Sequence, residues 1–319
     1  MQRHYPLSEA MREFVETSGR FVAADASMQS IRSAYDALCR HFTPRRDTYV
    51  EIEDRSFADD AGRHIPIRVY RPVGEAPRQG WPCVLYLHGG GWMLGGLDSH
   101  EFLTARLARD VSAVVIAVDY RLAPEAAFPA AFDDCLAAWR HLQEKGGGRY
   151  GIDTSRVAVA GDSSGGNLAA ALCVEIAKLG DAAPRGQALI YPVLCADASL
   201  PSYRDHADAP LLSAADIADC LRAYAPDPAS HRDPRLAPLE ASSFDGLPPA
   251  FVAVAEFDPL CDDGRIYVER LRAADVPAQF HLGRGLLHGS MRALDRCPET
   301  ARLYRAFADA IAQMLRNTP

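Results

Sequence analysis

No C-x-x-C pair occurs among the eight scattered cysteines, and neither H-E-x-x-H nor a paired Cys/His spacing is present. A metal centre therefore has no recognisable ligand set, and none is expected. A disulfide framework is the weaker reading as well: Cys83 and Cys173 lie inside apolar runs, where free cysteine behaves as a small hydrophobe. Basic charge is in deficit, with 34 Lys and Arg against 42 Asp and Glu and a formal net charge of −8. Without a basic stripe to hold phosphate backbones, nucleic acid is not an expected partner. No helix opens with G-x-G-x-x-G; Gly89-Gly90-Gly91 and Gly95-Gly96 do not make a dinucleotide fingerprint. The apolar run Val111 to Val118 is far too short to span a bilayer, so no membrane span is expected. The stretch Met1 to Glu9 lacks the apolar core of a secretory signal, which makes a reduced, cytoplasmic setting the expectation.

What is present is ordinary in bulk and specific in detail. The 319 residues are 48% apolar and 24% charged, enough for one large core or for a core carrying an inserted lid. One stretch organises the rest, Gly161-Asp162-Ser163-Ser164-Gly165-Gly166-Asn167. The apolar run Arg156 to Ala160 before it reads as a buried strand, and the Ala- and Leu-rich run Leu168 to Ala177 behind it reads as a helix. Strand, tight glycine turn and helix are the context in which G-x-S-x-G marks a nucleophile. Gly161 and Gly165 stand where side chains would collide as the backbone reverses, and Ser163 is lifted clear of the sheet. Ser164 has Asp162 in place of the leading glycine and does not qualify.

Along the chain, Ser8 to Phe42 reads as helical, with Ile31, Ala34, Tyr35, Leu38 and Phe42 forming one apolar stripe. Two runs with half-exposed alternation, Tyr49 to Glu53 and Ile65 to Arg71, flank a turn at 59–63 and predict an antiparallel hairpin at the sheet edge. Further strands are expected at Cys83 to Leu87, Val111 to Val118, Arg156 to Ala160, Gly186 to Tyr191, Phe251 to Phe257 and Pro277 to Leu282. Asp98 and Glu101 fit a D-x-x-E capping box opening a helix. Helices are also expected over Ala130 to Glu144, stopped by Gly146-Gly147-Gly148, and over Asp262 to Ala274 and Glu299 to Leu315. This alternation predicts an α/β fold: a mainly parallel eight-stranded sheet with helices on both faces. The segment from about 200 to 248 breaks the rhythm, with one helical run at Ser213 to Tyr224, and reads as a cap insertion. The expected organisation is residues 1–48 as the N-terminal helical part of the cap and 49–319 as the main domain. The last strand, Pro277 to Leu282, is a candidate exposed edge for pairing in a homodimer.

A serine hydroxyl needs a base, and chain order selects one among ten histidines. In sheets of this kind the order is Ser, acid, His, and only His281 and His288 follow Asp258. His281 sits within an alternating strand, whereas His288 lies in a loop beyond the strand's C-terminal end, where sites in open sheets are built. Asp258 follows a strand directly and is the expected acid. Asp262 and Asp263 read as cap and first-turn charges of the next helix, and Glu256 as pointing along the strand. For the oxyanion, backbone donors exposed by a glycine run are expected from Gly90 and Gly91, with the N–H of Ser164, and Gly89 is the alternative. His88 and Asp162 read as structural hydrogen-bonding groups, and Trp92 and Tyr120 as candidate acyl-pocket residues.

Taken together, His88-Gly-Gly-Gly-Trp92, Tyr120-Arg-Leu-Ala-Pro-Glu125, Gly161-Asp-Ser-Ser-Gly-Gly166, Glu256-Phe-Asp-Pro-Leu260 and Leu287-His-Gly289 resemble the hormone-sensitive-lipase-like branch (family IV) of the α/β-hydrolases. The stretches Leu94 to Glu101 and Asp258 to Arg265 bring the likeness close to its bacterial acetyl esterases. The resemblance implies hydrolysis of short-chain carboxylic esters, small molecules, through an acyl-enzyme and without a cofactor. Ser164 replaces the usual alanine, and Ser290 stands where Phe is common after His-Gly, at the expected pocket wall. Rival readings are a non-catalytic small-molecule binding protein on the same scaffold, such as the plant gibberellin receptors, and a hydrolase of amides, lactones or acetylated sugars. The receptors lack the catalytic histidine, and His288 is present here.

Overall fold

Short β-branched runs alternate with longer Ala- and Leu-rich ones, and in the computed structural model of this chain that alternation becomes strands and helices. The structure describes residues 4–44 and 48–316; Met1 to Arg3, and parts of the ranges 1–48 and 49–319 read above, lie outside them. In chain order the elements are α1 (Glu9–Ser18), α2 (Met28–Phe42), β1 (Val50–Ala58), β2 (His64–Pro72), β3 (Trp81–Leu87), α3 (Glu101–Asp110), β4 (Val114–Val118) and α4 (Ala130–Tyr150). There follow β5 (Ile152–Asp162), α5 (Ser164–Leu179), β6 (Gln187–Ile190), α6 (Pro201–Asp205), α7 (Ala214–Tyr224), β7 (Ala250–Phe257), α8 (Cys261–Ala273), β8 (Ala278–Leu287) and α9 (Pro298–Arg316).

The strands form one eight-stranded sheet in the order β1-β2-β4-β3-β5-β6-β7-β8. The β1–β2 and β2–β4 pairs are antiparallel and the others parallel, so the hairpin supplies an antiparallel edge as expected. Successive residues of β3 point to opposite faces: Cys83, Leu85 and Leu87 enter one core layer, Val84 and Tyr86 the other. Phe132 of α4, Leu168 of α5 and Tyr267 of α8 fill the first layer. Met11 of α1, Leu103 of α3 and Phe307 of α9 fill the second. β8 closes the sheet on one side as an edge strand.

Several local expectations change. The helix read over Ser8 to Phe42 is two helices, separated by residues 19–27, with Ser8 and Ser27 as N-caps accepting from Met11 and Ser30. Asp98 does not cap α3; with Glu101 it instead binds the Arg68 guanidinium at 2.7 and 2.8 Å. A cation arriving from β2 outcompetes a local backbone donor, because charge-assisted bonds are the stronger ones. The three glycines at 146–148 do not stop α4, which runs on to Tyr150 and ends at Gly151 with φ 66°. Gly146 backs onto Ile152, where a Cβ would lie 2.7 Å from the Ile152 Cδ1, so here glycine permits close packing rather than a turn. β8 reaches Leu287 instead of stopping at Leu282, its register shifting between the Ala255–Gly283 and Phe257–Leu287 pairs. Between β6 and β7 the chain leaves the sheet for α6, α7 and their connections before returning at Ala250.

Candidate active site

The parallel strands end on one side of the sheet, and the expected site residues follow those ends. Ser163 sits between β5 and α5 with φ 54° and ψ −122°, a conformation non-glycine residues avoid unless their surroundings impose it. Its neighbours explain how the turn is held. A Cβ on Gly161 would lie 2.4 Å from the Gly165 carbonyl carbon, and one on Gly165 would lie 2.0 Å from the Leu87 oxygen. Only glycines let the turn press against the end of β3.

Asp258 follows β7 directly and His288 follows β8. The His288 Nε2 lies 2.8 Å from the Ser163 Oγ, and its Nδ1 lies 2.7 Å from the Asp258 Oδ2. Asp258 is fully buried, and its other oxygen accepts the Leu260 N–H at 2.9 Å. The Tyr191 ring, 4.5 Å from the imidazole centre to centre, backs the histidine. Three side chains expected to meet do so, and His281 remains on the sheet, paired with Ala253.

The glycine loop after β3 lies beside them. Gly90 (φ 135°) and Gly91 (φ 60°) line the same cavity as Ser163 and His288. The Gly90 carbonyl folds inward to accept the N–H groups of Met93 and Leu94 at 3.1 and 2.9 Å. Gly89 differs: its N–H is given to the Asp162 Oδ1 at 3.1 Å. Ser164 is the first residue of α5, where a helix leaves the N–H without an i−4 carbonyl.

Asp162 and His88 are structural, as read. Asp162 also accepts the Tyr86 hydroxyl at 2.7 Å and faces the His100 Nε2 at 3.3 Å. Burial alone would raise its pKa; attraction to His100 and the His100 and Tyr86 hydrogen bonds outweigh this and hold it well below the usual carboxylate range. His88 is buried, lies 2.9 Å through Nδ1 from the Gly89 oxygen, and stacks on Tyr120 at 4.3 Å. Burial pushes its pKa down to about 4, so it stays neutral near pH 7.

A cavity of about 460 Å³ opens over Ser163, with walls from α2 (Ile31, Tyr35, Leu38) and α7 (Ile217, Cys220) as well as the glycine loop. Trp92 lines it and stacks on Tyr224 at 4.7 Å. Tyr120, read as a pocket candidate, packs behind the loop instead and donates its hydroxyl to the His88 oxygen at 2.6 Å. Ser290 is likewise no pocket wall: it is buried, and its carbonyl takes the Thr300 hydroxyl at 3.3 Å, while Gly289 and Met291 on either side face the cavity.

Three residues matter here beyond the roles read from the sequence. Asn167, fully buried in α5, donates to the Val193 and Leu236 oxygens at 2.8 and 2.6 Å, tying the start of that helix to the 200–248 excursion. Asp263, expected as a first-turn charge, lies in the first turn of α8 and also accepts the Leu194 and Cys195 N–H groups at 3.1 and 3.3 Å. Arg292 lines the cavity while nine-tenths buried. Polar residues set among apolar neighbours, Asn167 within its helical run and Arg292 between Met291 and Ala293, were the available signal. Among the described residues no group of three or more His, Cys, Asp or Glu side chains is placed to hold a metal ion, and no helix is long and apolar enough to cross a membrane.

With this geometry in view, comparisons with known proteins agree with one another. A family model described as alpha/beta hydrolase fold matches residues 84–292. The chain is 43% identical to the ethyl acetate hydrolase of Pseudomonas putida over 242 residues, covering 76% of each chain. It is 44% identical to the carboxylesterase NlhH of Mycobacterium tuberculosis over 245 residues, 75% of each. Among solved structures, a thermostable esterase from Pseudomonas putida superposes with a TM-score of 0.92 at 29% identity, covering 99% of this chain and 100% of the other.

Proposed function

Because this chain belongs to the hormone-sensitive-lipase-like branch of the α/β-hydrolase family and is an esterase of that type, we propose that Ser163, His288 and Asp258 hydrolyse short-chain acyl esters as a catalytic triad. The observation that carries the reading is the line of contacts Ser163 Oγ–His288 Nε2 at 2.8 Å and His288 Nδ1–Asp258 Oδ2 at 2.7 Å. Asp258 accepts from Nδ1 and so fixes the tautomer whose Nε2 takes the serine proton. The Ser163 oxygen attacks the ester carbonyl carbon as that proton moves to His288. The tetrahedral oxyanion collapses to an acyl-enzyme, and His288 returns the proton to the departing alcohol. Water then repeats the sequence on the acyl group, with His288 again as base, and releases the acid.

The oxyanion is received by the N–H groups of Gly90, Gly91 and Ser164. Gly89 is the weaker candidate because its N–H is already committed to Asp162. Each such donor contributes roughly 3 to 4 kcal/mol to the transition state. A cavity of about 460 Å³ suits short acyl chains, and α1, α2 and the 200–248 excursion act as its cap. The eight free cysteines suit a reducing, cytoplasmic setting, and the exposed edge at β8 suits pairing in a homodimer.

The deciding measurement is the rate of Ser163→Ala on p-nitrophenyl butyrate. The expected loss in kcat is about 10⁴-fold or more. An unchanged rate would end the proposal, and an inert wild type that binds esters tightly would favour the binding-protein reading. A panel of matched amides, lactones and acetylated sugars separates the remaining rival.

A further inference from the structure

Among the described residues Arg292 is the one guanidinium in the wall of the catalytic cavity, and its surroundings leave it short of partners. Its Nη1 donates to the Ser99 oxygen at 2.9 Å and its Nη2 to the Tyr35 hydroxyl at 3.0 Å. A guanidinium has five N–H donors, so most of its capacity is unspent. Among the described residues no carboxylate lies within ion-pair distance of it. Asp162 attracts it through space, but the oxygens of that carboxylate are engaged by Tyr86, Gly89 and His100.

The rest of its shell is aromatic. The guanidinium carbon lies 5.3 Å from the centre of the Tyr35 ring and 5.2 Å from that of Phe102, and both rings line the same cavity. Cation–π contact offsets part of the cost of removing a cation from water but leaves the planar N–H fork unfilled. Burying a charge without a matched anion is expensive, and a ligand that brings the anion removes that cost. The Tyr35 hydroxyl accepts from Arg292 and holds the guanidinium at the cavity wall.

We propose that Arg292, with Tyr35, is a specificity-determining site for a carboxylate on the substrate, so that the preferred substrates are esters carrying a second, free carboxylate. This rests on Ser163 being the point of attack and adds the chemistry of the group lying beyond the ester. A planar carboxylate matches the fork in two parallel hydrogen bonds, which an amide of the same shape cannot reproduce. The carboxylate sits either on the acyl side of the ester or on the alcohol side.

The test uses the intact wild-type chain on two matched pairs, monoethyl adipate against its primary amide and 6-acetoxyhexanoate against 6-acetoxyhexanamide. In one pair kcat/KM is expected to favour the carboxylate by about tenfold or more, and which pair does so locates the anion on the acyl or the alcohol side. In Arg292→Met that ratio falls toward one; in Arg292→Lys it stays above one but below wild type, since a point cation keeps the charge and loses the fork. Tyr35→Phe lowers it as well. Competitive inhibition of p-nitrophenyl butyrate hydrolysis by hexanoate over hexanamide gives the same reading from unaltered protein, should a variant not fold. Equal kcat/KM for carboxylate and amide in both pairs overturns the proposal, as does a ratio untouched in Arg292→Met. If no ester at all is turned over, it is the Ser163 reading that fails, and the two failures are thereby distinguished.

Discussion

The Asp162 Oδ1 and the Gly89 N–H are 3.1 Å apart, and that bond joins the turn carrying Ser163 to the glycine loop after β3. The two parts proposed to face one carbonyl are thus tied to each other through a buried carboxylate. In Asp162→Ala the loop loses this tether, and kcat on p-nitrophenyl butyrate is expected to fall about 10²-fold with a smaller change in KM. Since the folded-state pKa of Asp162 is depressed, its contribution to stability is present above the unfolded value and is lost as pH falls below about 4. Denaturant titrations from pH 7 down to pH 3 should show a shallower loss for Asp162→Asn than for wild type; parallel curves would refute this.

Gly165→Ala puts a methyl group 2.0 Å from the Leu87 oxygen, and backbone on both sides leaves no flexible atom to yield. The expected cost is about 2 kcal/mol or more, with activity lost together with stability. A melting temperature equal to wild type would contradict the account of the turn.

Asp263 gives the opposite pH behaviour to Asp162. Its burial raises the pKa to about 7, against hydrogen bonds from the Leu194 and Cys195 N–H groups and the Cys195 thiol that pull it down. A carboxyl that holds its proton more tightly when folded contributes stability below its unfolded pKa, and that contribution is lost as pH rises from about 4 through the folded value of about 7. Asp263→Asn keeps an oxygen for the two N–H groups and cannot ionise. It should therefore lack this decline between pH 4 and 8, as read by chemical denaturation; an identical slope would show the group to be silent.

Asn167→Ala leaves the Val193 and Leu236 carbonyls without their buried donor. Each such loss costs about 1 to 3 kcal/mol. Asn167→Asp should be worse than Ala at pH 8, because it sets an anion against two carbonyl oxygens. Comparing the two variants by thermal melting checks the order.

The succession of strands along the chain, the glycine turn at Ser163 and the placing of Asp258 beside His288 were legible because each is a local pattern with steric or topological force behind it. Gly161 and Gly165 announce a turn that no larger residue can make, and chain order leaves few histidines after Asp258. Less legible were contacts made across the sheet. Asp98 and Glu101 look like a capping box until Arg68 arrives from β2 to bind both. Gly146 to Gly148 look like a stop until Ile152 of β5 packs against the helix and requires the small residue. Arg292, four residues past His288 and between Met291 and Ala293, drew no reading from the sequence; only the meeting of α2 and α3 over it makes it a cavity wall. In each case a distant element decided the outcome, and spacing along the chain carries no trace of that partner.

The two core layers have a consequence for how this molecule fails. Ser163 opens a helix whose apolar face fills one layer, whereas His288 leads through Met291 toward α9 in the other. The 2.8 Å contact between them is therefore a caliper joining elements anchored in different layers. A swelling of either half by a fraction of an ångström opens it while strands and helices persist. Turnover should vanish in mild urea well before the helical circular dichroism does, so that enzyme assay becomes the finest gauge of whether the two halves are seated.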